Sequence, residues 1–406
     1  MKILMITHIL PFPPHGGCRI RNFNLIKQAA SKHELHLVTF YRKAHSKTEQ
    51  KVAEATAEIK KFCKEVHVYP IEAEHNKFKY YSTLLFNLFS GDPYSAAIYH
   101  SKSMINKVKE MIDRYKYDVV EIGEIGMLNY ARLVPGIPKL LVHHNVESQL
   151  LARRATVANP LAKWYLNLQA KRTERFEKEA GNLIERHTAC SSIDMETLKK
   201  INPDINCVVV PNGVDTDYFR PTDDKMIPNS LIFVGGLQWL PNRDAMNFFI
   251  DKVWADLKQR VPDFTLSVVG KDAPQELVAF AAKEPDFHVT GFIEDIRPII
   301  TQSAVFIVPI RVGGGTRLKV LDGLAMGKAI VSHTIGCEGI DVTHDHDIII
   351  ADSAEDTVEA IVGLLSDEAK LKRIATNARQ TAEQKYDWNI IGPILMDVYE
   401  ELKALK

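Results

Sequence analysis

Residues 305–332, VFIVPIRVGGGTRLKVLDGLAMGKAIVS, run through a strand, a turn, a helix and a second strand. Val305 to Ile310 is a short apolar run of buried-strand length. Gly313, Gly314 and Gly315 follow, and a helical pattern from Thr316 then places Leu318, Leu321, Leu324 and Ala325 on one face. Gly327 and Lys328 close the helix, and Ala329 to Ser332 begins the next strand. Two strands joined by a crossover helix imply a parallel sheet with a right-handed connection. The glycine turn also presents backbone N–H groups and the positive end of a helix dipole, which together make an anion site. Arg317 and Lys319 stand in the first turn, where cations oppose the dipole. A charge set against local preference points to function. The bland alternative is a tight turn carrying solvated basic residues.

The same alternation recurs along the chain. Strands are predicted at Lys2–His8, Glu34–Tyr41, Glu65–Ile71, Asp118–Ile122, Lys139–His143, His187–Cys190 and Cys207–Val210. A second series covers Ser230–Gly235, Phe264–Gly270, Phe287–Thr290, Val305–Ile310, Ala329–Ser332 and Asp347–Ala351. Helices separate them, among them Arg19–Ser31, Thr48–Cys63, a helical region over 78–115, a stretch over 147–184 broken at Pro160, and Arg243–Arg260. Strands alternating with helices of this length predict parallel α/β sheets. At 406 residues the chain is too long for one ordinary core, so two domains are expected. The turn-rich PNGVDTDYFRP at 211–221 reads as the linker and hinge between an N-terminal domain, 1–210, and a C-terminal one, 222–387. A last helix covers 388–406.

Composition narrows the function classes. Lys plus Arg and Asp plus Glu balance at 51 each, so nothing global points to nucleic acid. The N-terminal apolar run meets Pro11, Pro13 and Pro14 with no cleavage site, so it reads as a strand and not as a leader. No stretch reaches the roughly 20 apolar residues of a membrane span. Five scattered cysteines without metal-ligand spacing suit a reducing cytoplasm.

PNGVD, FVGGLQWLPNRDAMNFF, VTGFIEDIRPI and GGGTRLKVLDGLAMGKAIVS occur in that order, preceded by PFPPHGG with an Arg after it and by HHNVES at 143–148. The series resembles glycosyltransferase family 4 (glycosyl transferases group 1), retaining enzymes that use nucleotide-diphosphate sugars. The resemblance implies a GT-B fold, two Rossmann-like doubly wound domains facing across a cleft that closes on the donor, with the C-terminal helix crossing back onto the first domain. It implies a metal-independent, hexosyltransferase-like enzyme without a cofactor, at work on cell-surface polysaccharide or glycolipid. Its site would be cytoplasmic, on the inner face of a membrane where the acceptor is lipid-linked.

One departure from the family is plain. Its signature has two glutamates seven residues apart; here the positions hold Gly314 and Asp322. By resemblance Asp322 would hold the ribose hydroxyls, whereas Gly314 offers only backbone to the donor sugar. The Arg and Lys common after the first strand of the second domain are also missing, with Arg243 alone and late. Arg317 and Lys319 are expected to take the diphosphate instead, Arg317 by a fork onto two oxygens and Lys319 as a point charge. The amides of Gly314, Gly315 and Thr316 and the start of the helix at Leu318 complete that donor set. Fixed charges aimed at a leaving diphosphate are the largest catalytic contribution expected.

Other residues carry alternatives. Gly16 and Gly17 either bring N–H groups against a phosphate or the acceptor, or belong to an ordinary stiff loop. His144 ends a strand and by resemblance lies near the donor sugar, with His143 facing the other way. Glu147 is an active-site carboxylate or an ordinary acidic first turn. Phe292 flanks the nucleobase by resemblance, or is a core residue. Asp215-Thr216-Asp217 and Asp345-His346-Asp347 could hold Mg²⁺ with phosphates, but the cationic loop already serves them. The segment 151–179 mixes Arg153, Arg154, Lys163, Lys171, Arg172 and Arg175 with Trp164, Tyr165 and Leu168. It reads first as a solvated helix with a core face and second as peripheral membrane contact. A non-catalytic nucleotide-sugar or partner-binding module is the competing function, motivated by Gly314.

Overall fold

A computed structural model describes residues 1–44 and 48–406. The chain forms two compact units: Met1–Pro211 with Ile391–Lys406, and Asn212–Ile390. The first holds β1 (Lys2–Thr7), β2 (Glu34–Tyr41), β3 (Glu65–Pro70), β4 (Val119–Ile122), β5 (Lys139–Val142), β6 (Arg186–Ala189) and β7 (Cys207–Val209). They pair in parallel in the order β3-β2-β1-β4-β5-β6-β7. The second holds β8 (Ser230–Val234), β9 (Thr265–Val269), β10 (Phe287–Gly291), β11 (Val305–Val308), β12 (Ala329–Ser332) and β13 (Ile349–Ile350), in the parallel order β10-β9-β8-β11-β12-β13. Helices on both faces bury these strands, which is why Ile3 to Ile6 and Val305 to Val308 are uninterrupted apolar runs.

The predicted strands all form, and the helices differ in detail. The region over 78–115 is three helices, Lys77–Phe89, Tyr94–Ile98 and Lys102–Arg114, preceded by a short one at Glu72–His75. The expected Arg243–Arg260 helix becomes Leu240–Phe248 and Trp254–Arg260 around a π-helical turn at Phe249–Val253. The wider turn re-aims the second helix, and Trp254 packs edge-on against Phe264, Phe280 and Phe287. The final helix is Trp388–Ala404. Within the first unit its Tyr399 hydroxyl donates to Glu121, and Glu401 lies 3.1 Å from Arg186 Nε.

Chain order decides where each unit can bind. From β1 the chain moves out to β2 and β3, then returns to lay β4 on the opposite side of β1. From β8 it moves to β9 and β10 and returns to β11. Each reversal leaves an uncovered crevice at the carboxyl ends of the two central strands.

Candidate functional site

The second unit's crevice lies between the ends of β8 and β11. After β8 come Gly235 and Gly236, and after Trp239 the helix Leu240–Phe248 begins. After β11 the loop runs through Gly313–Thr316 to the helix Leu318–Ala325, with Arg317 as its N-cap. Lys319 reaches back across the crevice: its Nζ donates to Asn242 Oδ1 at 2.7 Å and stands 4.2 Å from the centroid of the Phe233 ring. Asn242 Nδ2 in turn donates to the Gly236 carbonyl at 2.8 Å. A Cβ at Gly235 would lie 2.4 Å from Lys319 Nζ and 2.7 Å from Asn242 Nδ2, so glycine there is what admits the ammonium.

Arg317, expected at the diphosphate, is braced against its own loop. Its side chain is buried and its guanidinium folds onto its own loop, donating to the Gly314 carbonyl and, at 2.6 Å, to the Gly315 carbonyl. The guanidinium carbon also lies 5.4 Å from the Trp239 ring centroid. Through Nη1 Arg317 thus braces the loop from which it springs. In a trans peptide the N–H points opposite the C=O. Holding these carbonyls inward therefore turns the N–H groups of Gly315 and Thr316 away from Arg317. Gly313 at φ 106° and Gly315 at φ 80° supply the left-handed backbone this requires. The Thr316 hydroxyl is shielded from solvent and finds no partner among the described residues.

Two ionisable groups line the start of this helix. Burial pulls Lys319 down to about 7, with the Arg317 charge acting in the same direction. Burial pushes Asp322, one turn further on, up to about 7, and the Lys319 charge opposes the shift. Both residues are half-buried. Leu318, half-buried, packs against the core and contributes its backbone as the first helical residue. Phe292 is not a core residue: it stands 70% exposed after the end of β10. Arg243 is exposed on its helix.

The Asp-x-Asp pairs serve the fold. Asp215 accepts from the Tyr218 amide at 2.9 Å. Asp345 pairs with Arg373 and Lys370, and Asp347 accepts from the Thr343 amide and the Thr381 hydroxyl, both at 2.7 Å. Among the described residues no group of three His, Cys, Asp or Glu side chains could hold a metal ion.

The first unit's crevice gathers His8 after β1, Glu124 after β4, and His144 and Glu147 after β5. His8 Nδ1 lies 3.2 Å from Glu124 Oε2, and the His8 and His144 rings meet edge-on at 5.6 Å. Burial lowers His8 to about 4 and takes His144 well below its ordinary value, so both rings are neutral. Burial raises Glu124 to about 7. It raises Glu147 to the same value, assisted by the Glu124 charge. Both carboxyls are thus held well above the ordinary carboxylate range. Glu147 opens the helix Glu147–Thr156 and accepts from Asn145 at 3.3 Å, so it is both a first-turn acid and a member of this cluster. His143 points the other way, 3.1 Å from His187. Gly16, at φ 95°, caps the helix Gly17–Ala30, and both glycines are exposed. Sequence reasoning missed His8, Glu124 and Asn242. The signal for the first two was position, each being within two residues of the end of a strand that flanks the crevice.

Two parallel, doubly wound units, each open at its reversal point, are the GT-B architecture of sugar transferases. The chain belongs to glycosyltransferase family 4: the profile described as Glycosyltransferase Family 4 matches residues 15–218, and Glycosyl transferases group 1 matches 228–367. It is similar in structure to HepE of Anabaena bound to UDP, at 14% identity, with 99% of this chain and 100% of that one covered and a TM-score of 0.68. It is likewise similar to TarM of S. aureus, at 11% identity, with 98% of each chain covered and a TM-score of 0.69. Among curated relatives it is 24% identical to a D-inositol 3-phosphate glycosyltransferase of Corynebacterium aurimucosum over 56% of this chain and 58% of that protein. It is 27% identical to an uncharacterized 44.6 kDa protein in the cps region of Klebsiella pneumoniae over 39% of this chain and 42% of that one. The matched stretches thus span about half the length of these curated relatives.

Proposed function

We propose that the chain moves a hexose from a nucleoside-diphosphate sugar to a glycan or glycolipid acceptor with retention at the anomeric carbon. The observation that carries this is the second unit's loop: the Lys319 ammonium, the outward N–H groups of Gly315 and Thr316 and a helix start converge on one crevice. As the bond from the anomeric carbon to the diphosphate breaks, negative charge grows on the leaving oxygen, and donors fixed beforehand stabilise it. Asp322 is suited to the ribose hydroxyls and exposed Phe292 to the base. Solved complexes of the structural neighbour HepE with UDP-glucose support a nucleotide-sugar donor.

His144, His8, Glu124 and Glu147 of the first unit, with Gly16 and Gly17, are assigned to the sugar and acceptor hydroxyls. A carboxyl whose pKa is raised toward neutrality can serve as acid or base to a hydroxyl. The cationic loop supplies the charge that a divalent ion supplies elsewhere, so turnover is expected to survive chelator. Family membership supports retention and a role in surface polysaccharide synthesis at the cytoplasmic face of a membrane. No described helix is long and apolar enough to cross one.

A mass-resolved panel of nucleotide sugars, with and without chelator, tests the reading. Transfer or slow hydrolysis of at least one donor is expected, and Lys319→Ala should reduce it by roughly 150-fold. Silence across the panel, or an unimpaired Lys319→Ala protein, would overturn it in favour of a binding module.

A further inference from the structure

The helix Lys77–Phe89, KFKYYSTLLFNLF, is packed inside out. Its one buried side chain is Asn87, whose amide donates to the Asp92 carbonyl at 2.9 Å and accepts from Gln169 Nε2 at 2.9 Å. Its apolar residues face solvent: Phe78 is 81% exposed, Phe86 71% and Phe89 84%, with Tyr81 and Leu85 between them. At 100° per residue Phe78, Tyr81, Leu85 and Phe89 fall on one stripe with Phe86 beside it, opposite Asn87. A monomer's surface scatters such residues singly; a continuous ridge of this kind marks a contact. The helix needs no partner to form, since Asn76 caps it by accepting from Phe78 and Lys79.

The chemistry of the ridge selects its occupant. We infer that the 77–89 helix lies in the headgroup layer of an anionic membrane. Residues 76–90 contain no Asp or Glu, and cations stand at both ends. Lys77 and Lys79 sit at the start, Lys79 paired with Glu72 at 2.7 Å, and Arg172 donates to the Asn87 and Leu88 carbonyls at the finish. Thirteen residues make a rod about 20 Å long, too short to span a bilayer and suited to lying along its surface. Phenylalanine and tyrosine are the side chains that favour that layer. Leu161 and Trp164, with Lys163, are exposed on the helix Pro160–Leu183 that holds Asn87. The argument stands on this surface alone, whether or not the chain transfers sugar.

Flotation of the full chain with extruded vesicles tests it, using phosphatidylcholine alone and with about 30% phosphatidylglycerol. The protein should float, more strongly with the anionic lipid, and Trp164 emission should shift to the blue. Phe86→Glu with Phe89→Glu should weaken partitioning at least tenfold without moving the melting temperature. Val278→Glu, a charge placed on an exposed apolar residue of the second unit, should float like the parent. A parent that stays with the soluble fraction, or a double variant that floats as well as the parent, overturns the inference. So does a parent that is dimeric without lipid and is split by the double variant, because a second copy is then the occupant.

Discussion

Donor binding should take up a proton, and the amount should depend steeply on pH. Burial, with the Arg317 charge beside it, pulls Lys319 down to about 7. A diphosphate placed at the loop restores the charged form and returns the amine toward its ordinary value near 10.4. Asp322, at about 7, should move the opposite way, because a carboxylate accepting ribose hydroxyls prefers to be ionised. At pH 7 each group is about half protonated, so an uptake of about 0.5 proton by Lys319 cancels a release of about 0.5 by Asp322. At pH 8 Lys319 is about nine-tenths neutral and takes up about 0.9, while Asp322 releases about 0.1, leaving a net uptake near 0.8. Since the slope of log affinity against pH equals minus the protons taken up, affinity should fall about sixfold per unit near pH 8. Calorimetric titration of a nucleotide sugar in buffers of different ionisation enthalpy reads the proton count directly. Asp322→Asn should expose an uptake of about 0.5 at pH 7, and Lys319→Met should abolish uptake at pH 8. A binding enthalpy independent of buffer at pH 8, with an affinity flat from pH 7 to 9, refutes the assignment of Lys319 to the diphosphate.

Gly235→Ala places a methyl 2.4 Å from Lys319 Nζ and should displace the ammonium, costing about 3 kcal/mol in the barrier and roughly 150-fold in kcat; steady-state kinetics beside a melting curve separates this from unfolding. Glu124→Gln removes the charge that helps hold Glu147 up, so the acid limb of the kcat/KM profile should move from about 7 toward the ordinary carboxylate range. An unmoved limb would detach that pair from catalysis. Glu121, buried beneath Tyr399, is raised to about 7 by burial, so the folded state holds its proton more tightly than the unfolded chain. That contribution is full below about pH 4.3 and is lost as pH rises through about 7. Glu121→Gln should therefore remove up to about 3 kcal/mol of the stability lost between pH 4.5 and 7.5, read as a smaller drop in melting temperature than in the parent.

The parts legible in the sequence were those with a one-dimensional signature. A parallel strand covered on both faces must be an apolar run, so β1 and β11 could be read directly from Ile3–Ile6 and Val305–Val308. The glycine loop with Lys319 and Asp322 was visible because the chemistry and the turn lie within ten residues. His8 and Glu124 were not, because 116 residues separate them and only the adjacency of β1 and β4 brings them to 3.2 Å. The sequence places Arg317 in the loop and is silent on its contacts there. Whether a guanidinium reaches outward or back onto Gly314 and Gly315 is decided by rotamer and by Trp239, neither of which has a periodicity. The 77–89 helix was readable as a helix, but its inverted face was hidden. The pattern of apolar positions is the same whether the stripe points in or out, and only the Asn87 contacts to Gln169 settle it.

Gly314 takes its meaning from these contacts. Where the resemblance places a glutamate, the chain has no side chain, so the cations of the loop have no carboxylate there to balance them. Two basic residues then stand at a helix N-terminus, against the dipole. The protein meets that cost in two ways. Arg317 turns its donors onto the carbonyls of Gly314 and Gly315, and burial beside it drives Lys319 toward its neutral form. In the proposed reading a diphosphate would supply negative charge at the loop, meet the N–H groups of Gly315 and Thr316, and recharge Lys319. Loss of the glutamate thus transfers the balancing charge from protein to ligand, which favours a strongly anionic donor over a neutral sugar at this loop.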